Sequence, residues 1–278
     1  MPDKTEKLNL LWKTAVVISF LLYYTGIVFI YINFRKYILK NQRRIILTYH
    51  RVNNDISDVE MTVKPEHFMK QMSYLVLKYH VISLDQLIFK TNMQQQQRDI
   101  VAITFDDGYA DNFHFAFPVL REKRLPATIF LISDMIGRIE MRMLTLCQIK
   151  KMQVQGISFG SHTCSHPILT DISLELARVE IQRSKKDLEL LIGKKVECFA
   201  YPKGKKSHYN SAIKHELTKC GYKFAVTMEN GSVNDTLDFF EVPRLGIRDV
   251  PLFVFKTRLS GIFESSLFFI VRKLLKST

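Results

Sequence analysis

From Ile45 onward the chain alternates short runs rich in β-branched and aromatic residues with longer helical patterns. That alternation confines it to an α/β class, a parallel sheet with crossover helices or an α/β barrel. Strands are expected at Ile45–Tyr49, Ile100–Phe105, Ala127–Ile132, Gly156–Gly160, Cys198–Tyr201 and Lys223–Thr227. Pro65-Glu66 opens a helix with Phe68, Met72 and Leu75 on one face. Ser83-Leu84-Asp85-Gln86 reads as a capping box. Leu174, Ala177, Ile181, Leu188, Leu191 and Ile192 mark a long amphipathic helix that stops at Gly193. The Gln94–Gln97 run reads as an exposed loop. With no internal repeat or linker, residues 45–250 read as one domain, followed by a basic, apolar tail at 251–278.

Ahead of that domain, the 21 residues from Thr14 to Phe34 carry no charge. A helix needs about 20 apolar residues to cross a bilayer. A cleavable signal peptide would be shorter and end in small residues, whereas this stretch runs into Asn33-Phe34-Arg35-Lys36. The reading is an uncleaved single-pass anchor at 14–34 behind a tail at 1–13. Lys4, Lys7 and Lys13 precede it, and Arg35, Lys36, Lys40, Arg43 and Arg44 follow. Three against five leans the following domain towards the cytoplasmic side.

The net charge of +13 is uneven. Residues 1–50 carry +6 and residues 251–278 carry +4, leaving only +3 for the 200 between them. A nucleic-acid protein would carry its basic stripe within the folded domain. Here the excess flanks the apolar ends, so a membrane surface is the expected partner and nucleic acid is not. The tail holds Ile262, Phe263, Leu267, Phe268, Phe269, Ile270 and Val271, followed by Arg272, Lys273 and Lys276. It reads either as an interfacial helix or as a last helix covering the barrel. Four cysteines without a C-x-x-C pair exclude a disulfide scaffold and a zinc finger.

Three segments that follow expected strands carry residue types suited to hydrolysis, at the strand ends where ligands bind in parallel sheets. In Thr104-Phe105-Asp106-Asp107-Gly108-Tyr109 the adjacent carboxylates must diverge, so one can meet a metal and the other a water. The plainer reading is a surface turn. In Ser161-His162-Thr163-Cys164-Ser165-His166, a helical turn would bring both imidazoles to one cation. The plainer reading is two loop histidines making ordinary hydrogen bonds. In Phe199-Ala200-Tyr201-Pro202-Lys203-Gly204, a turn can aim backbone N–H groups into a cleft, or be only a turn.

Taken together, TFDDG, then SHxxSH about 55 residues later, then the YPxG turn resemble the NodB-type polysaccharide deacetylases, carbohydrate esterase family 4. The similarity extends to Pro118-Val119-Leu120, Leu125-Pro126-Ala127-Thr128-Ile129-Phe130 and Phe199-Ala200-Tyr201-Pro202, covering roughly residues 45–250. It implies a deformed (β/α) barrel and metal-dependent N-deacetylation of amino sugars. Asp106 would be the general base, with Asp107, His162 and His166 as ligands of a divalent metal, zinc by default for such a donor set. Tyr201 and Lys203 would lie at the substrate and oxyanion position. The implied partner is an N-acetylated glycan or a lipid-linked amino sugar.

The chain departs from the family twice. Ala200 stands where the third motif has an Arg that orients the base, and Lys203 stands where it has an aromatic residue. Arg244, in Val242-Pro243-Arg244, is the candidate replacement. The late Leu-x-His that supplies the acid is also absent. Leu47-Thr48-Tyr49-His50-Arg51-Val52 instead resembles the branch, including poly-N-acetylglucosamine deacetylases, with that His on the N-terminal side. His50 is therefore the expected acid; a structural His capping the first strand is its plain alternative. Two rival functions stay open: a non-catalytic glycan-binding or assembly protein of the same fold, and a deformylase or deacylase of a lipid-linked amino sugar.

Overall fold

Continuous apolar runs, unlike alternating ones, belong to strands covered on both faces. The computed structural model of the chain describes residues 4–55, 61–89, 98–234 and 238–264, with side chains from residue 13 onward. In chain order it comprises α1 (Lys4–Tyr24), α2 (Ile27–Asn33), β1 (Arg44–Tyr49), β2 (Arg51–Val52), β3 (Thr62–Val63), α3 (Pro65–Lys78), β4 (His80–Val81), α4 (Leu84–Phe89) and β5 (Ile100–Phe105). There follow α5 (Phe117–Glu122), β6 (Ala127–Leu131), α6 (Leu146–Gln153), β7 (Ile157–Ser161), α7 (Leu174–Ile192), β8 (Cys198–Ala200), α8 (Ser211–Lys219), β9 (Phe224–Val226), β10 (Leu245–Gly246) and α9 (Leu252–Ser260). The described residues divide into two compact units, one within Arg43–Asp249 and one made of the described residues on either side of it.

In the larger unit every ladder is parallel, in the order β10-β1-β5-β6-β7-β8-β9, with β4 beside the start of β5. All six strands expected from the sequence are present, and β1, β5 and β6 are buried almost throughout. Capping at Ser83 follows the sequence signal, and Ser173 adds a second N-cap. Ser83 Oγ accepts from the Gln86 amide at 3.3 Å, and Ser173 Oγ from the Leu176 amide at 3.3 Å. α7 ends at Gly193 in the left-handed conformation.

The strands curl into a half-barrel. Val242 bridges to Val226 of β9, while Leu245 and Gly246 pair with Leu47 and Thr48 of β1. One short stretch therefore touches both edges of the sheet, and Arg244 lies within it. The interior collects Ile46, Ala102, Phe130, Cys198, Phe224 and Val226 from the strands, with Leu84, Leu87 and Ile88 from α4. Phe130 and Phe224 are fully buried, and each such side chain stabilises the fold by about 1.5–3 kcal/mol. In the β1–β5 register Tyr49 faces Phe105, and the Asp106 amide donates to Tyr49 O at 2.9 Å. His50 and Asp106 thus leave neighbouring strands side by side.

In the smaller unit the stretch expected as one continuous span is divided, and Lys13–Tyr24 and Ile27–Ile38 meet the length and composition of a span only together, as a bent pair. The uncharged stretch breaks at Thr25–Gly26 and bends by 69°, so among the described residues no single helix is long and apolar enough to cross a membrane. The cause is local. Gly26 adopts φ +79°, and Thr25 Oγ1 donates back to Leu21 O at 2.6 Å, which loosens the helical ladder there. Within the described part of the tail, α9 packs on α1 and α2. Phe253 of α9 meets the rings of Phe20 and Tyr24 at 5.8 and 5.9 Å. Leu267, Phe268, Phe269, Ile270, Val271, Arg272, Lys273 and Lys276 lie outside the described residues, as does the Gln94–Gln97 run.

Candidate active site and metal centre

The half-barrel carries the chemical residues where its strands end. β5 delivers Asp106 and Asp107, β7 delivers His162, and the bend after it delivers His166. That bend is not the helical turn the spacing suggested: Thr163 and His166 take φ +67° and +68°. Asp107 (φ +71°) and Lys203 (φ +58°) share this uncommon conformation, so backbone strain concentrates around one point. Gly108 follows at φ +82°, and a Cβ there would lie 2.6 Å from Leu131 Cδ2.

The donor atoms of Asp107, His162 and His166 lie within 4.8 Å of one another. Asp107 Oδ1 stands 3.5 Å from His162 Nε2 and 3.6 Å from His166 Nε2. Those separations are too long for good hydrogen bonds. They fit ligands that share a cation, since donors about 2.0–2.1 Å from a tetrahedral centre stand about 3.3 Å apart. Asp107 Oδ1 is buried and has no hydrogen-bond partner among the described residues, an arrangement that costs free energy unless something positive meets it. His162 Nδ1 donates to Ala200 O at 2.7 Å, which fixes the tautomer and turns the Nε2 lone pair towards Asp107. The residues present therefore fit a divalent cation. Cys164 lies between the histidines in sequence but is buried, its Sγ engaged by Arg183 Nε at 3.2 Å.

Asp106 does not join that set. Its two oxygens accept from Arg244 Nη1 and Nη2, both at 2.7 Å, in a bidentate pair with both side chains buried. Arg244 Nε donates to Thr227 O at 2.9 Å, and Nη1 also reaches Thr48 Oγ1 at 2.8 Å and Thr104 Oγ1 at 3.2 Å. The guanidinium lies over the Phe130 ring at 5.4 Å. Burial alone would push the Asp106 carboxyl up, but the Arg244 charge and then His162 outweigh it and hold it well below the usual carboxylate range. For Asp107, burial is likewise outweighed, by His162, and its pKa falls. His166 is pushed down to about 4 by burial and by the neighbouring His162.

His50 follows β1 and is half-buried, near enough to Asp106 and Asp107 for its charge to favour both carboxylates. Lys203 sits close enough to His166 to depress it, and its amide donates to no group among the described residues. Its turn is fixed by Gly204, where a Cβ would lie 2.7 Å from the Met228 amide nitrogen. Tyr201 departs from expectation. It is fully buried, its hydroxyl donates to Phe240 O at 3.0 Å and its amide to Val226 O at 3.2 Å. Strand alternation puts this ring on the same face as Phe199, 5.5 Å from that ring, and stacks it on Tyr209 at 4.4 Å, so in this structure Tyr201 packs the fold.

Two groups of contacts have no signal in the sequence. Glu180 on α7 accepts from the Cys164 and Ser165 amides at 2.8 and 2.9 Å and from Ser165 Oγ at 2.7 Å, holding the bend that carries the histidines. Asp111 and Asn112 reach across to the segment after β1. A Glu on a helix face and an Asp-Asn pair after a turn are too ordinary for either role to be read without the fold.

A family model described as polysaccharide deacetylase matches residues 93–225. YxkH of Bacillus subtilis, ascribed to the polysaccharide deacetylases, is 30% identical over 204 residues, which cover 73% of this chain and 70% of that protein. The poly-beta-1,6-N-acetyl-D-glucosamine N-deacetylase of Staphylococcus epidermidis is 27% identical over 229 residues, covering 72% of this chain and 78% of that protein. Among solved structures, the Streptococcus pyogenes deacetylase PplD in complex with acetate superposes with a TM-score of 0.67 at 26% identity, covering 74% of this chain and 92% of the other.

Proposed function

The chain belongs to the polysaccharide deacetylase family, hydrolases of carbon–nitrogen amide bonds, and on that footing we propose that it removes acetyl groups from N-acetylated amino sugars by metal-assisted hydrolysis. The observation that carries this reading is the buried Asp106–Arg244 pair beside three convergent ligand atoms. Asp107, His162 and His166 would hold the cation, with zinc the ion that suits the donor set. When bound, such an ion supplies Lewis acidity, acidifying water and polarising the acetamide carbonyl.

The remaining steps fall to the chain's own residues. Arg244 keeps Asp106 ionised and aimed, so this carboxylate takes a proton from the water that attacks the carbonyl carbon. The Lys203 amide supplies a hydrogen bond to the developing oxyanion. His50 gives a proton to the amide nitrogen as the C–N bond breaks, leaving acetate and a free amine. A poly-β-1,6-linked N-acetylglucosamine, the glycan named for the Staphylococcus relative, is the leading substrate. Arg244 weakens the case for a non-catalytic glycan-binding protein, since it brings a guanidinium to the base despite Ala200 in the third motif.

Purified, metal-replete full-length protein is expected to release acetate from β-1,6 N-acetylglucosamine oligomers. A chelator should abolish release and added zinc restore it. Binding of the oligomer without turnover would overturn the enzymatic reading. A panel that includes N-formyl and lipid-linked amino sugars separates the acyl group and the acceptor.

The smaller unit supports membrane attachment through a polarity that is reversed for a protein in water. Ser19, Arg35, Thr257 and Ser260 are buried, while Phe29 and Ile30 are 72% and 66% exposed and Tyr24 and Ile38 are also exposed. Lys256 Nζ donates to Tyr23 OH at 2.9 Å, near the middle of the uncharged stretch, a costly place for a charge in a spanning helix. The unit therefore lies in the interface of an anionic membrane, the bent helices presenting apolar side chains and the flanking lysines and arginines meeting headgroups. The flanking charge still leans the catalytic unit to the cytoplasmic face, which protease accessibility in sealed vesicles reads. Phe29→Asp is expected to weaken flotation with phosphatidylglycerol vesicles by at least about tenfold, the loss of one buried aromatic side chain. Unchanged flotation would remove this face as the attachment surface.

A further inference from the structure

Acid and base must act on the same amide, so the segment carrying His50 has to hold a fixed position beside the Asp106–Asp107 turn. His50 occupies the one-residue break between β1 and β2, outside the strand ladders. What holds it comes from the other side of that turn. Asp111 is nearly buried, and its carboxylate accepts from Arg51 Nε at 3.0 Å, the Val52 amide at 3.2 Å and Asn53 Nδ2 at 2.7 Å. Asn112, fully buried, donates from Nδ2 to His50 O at 2.8 Å and to Asp111 Oδ1 at 3.1 Å. The Arg51 guanidinium also lies over the Tyr109 ring at 5.0 Å. Each residue from His50 to Asn53 is thereby tied to the Asp111–Asn112 pair.

The strip that does the holding is itself anchored. The Ala110 amide donates to Arg142 O at 2.7 Å, and the Leu144 amide to Gly108 O at 2.9 Å. The Asp106 amide is bonded to Tyr49 O, so the acid segment is attached to the base turn both before His50 and after it. A charged acceptor fixes such a segment more strongly than a neutral one.

We infer that Asp111 and Asn112 are positioning residues for proton delivery: they set His50 in register with Asp106 and so serve departure of the amine. The inference rests on the proposed role of His50 as the acid. It has a consequence that simple structural support does not. An acetamide departs as an amine, which must gain a proton as the C–N bond breaks. A p-nitrophenyl ester departs as a stable phenolate and needs none, while attack on its carbonyl uses the same water, Asp106 and ligand set. Loss of proton delivery therefore slows the amide and spares the ester.

The test compares metal-loaded, full-length Asp111→Ala, Asp111→Asn and His50→Ala with the parent protein on N-acetylglucosamine oligomers and on p-nitrophenyl acetate. For Asp111→Ala the amide kcat is expected to fall about 10²-fold, the cost of a misplacement near 1 Å, with ester kcat and metal content close to those of the parent. Asp111→Asn, which keeps an acceptor for the Val52 amide, should fall less and with the same selectivity; it supplies the reading if the alanine variant does not fold. Equal losses on amide and ester, or no loss on either, would overturn the inference. His50→Ala separates the two levels. If it is selective for the amide and Asp111→Ala is not, positioning by Asp111 fails alone. If His50→Ala is itself unselective, the acid role of His50 fails and the inference with it.

Discussion

Asp106→Asn should lower acetate release about 10²–10⁴-fold, the range contributed by a positioned general base, while the bound metal stays near one equivalent. The separation between the two carboxylates is the reason. Asp107 faces His162 and His166, whereas both Asp106 oxygens are bonded to Arg244, so the substitution leaves the ligand set intact. Asparagine keeps the size of the side chain and one acceptor oxygen. It removes the charge that draws a proton from water, and it leaves the buried guanidinium without a counter-charge. A lower melting temperature should accompany the loss of rate. Initial rates of acetate release together with metal analysis check this, and activity within tenfold of the parent would remove Asp106 from the role of base.

Arg244→Met should strongly destabilise the barrel. It leaves Asp106 ionised and buried without its partner, and breaking a buried ion pair from one side costs about 3–5 kcal/mol. The other Arg244 contacts add to this, because Thr227 O loses its donor and the Phe130 ring loses a packing partner. Arg244→Lys is not a mild substitute, since an ammonium cannot make the two parallel bonds to Asp106. The double variant Asp106→Asn with Arg244→Met removes both charges and should be more stable than Arg244→Met alone. Urea unfolding of the four proteins measures that coupling, and additive losses would show that the pair does not act as a unit.

Much of this was legible in the chain because the signals are local. Six buried strands were readable as apolar runs, and α7 carried its own stop at Gly193. The DDG turn and the paired histidines follow strands directly, and it was their combination with the YPxG turn, resembling a known family, that raised a metal-hydrolase site. The structure altered details that depend on backbone conformation. Left-handed residues at Thr163 and His166, not a helical turn, bring the imidazoles together. Tyr201 belongs to a stacked ring pair behind the site. Gly26 divides a stretch whose composition alone reads as one span.

Other features are non-local, and the sequence offered Arg244 only as a candidate for the Arg missing from the third motif. β10 is two residues long, too short for periodicity to reveal, yet the stretch leading into it carries Arg244 across the barrel to a carboxylate 138 positions earlier. Asp111 and Asn112 look like turn residues until the segment after β1, 58 to 62 positions away, is laid beside them. The amino-acid sequence by itself determined the class of fold, the family and the residue types of the hydrolytic site, because each is written in patterns a few residues long. Only the tertiary structure decided which guanidinium pairs with Asp106, what holds the His50 segment in place and where the N-terminal apolar stretch bends. Those depend on side chains that curling of the sheet and packing of the helices bring together from distant parts of the chain.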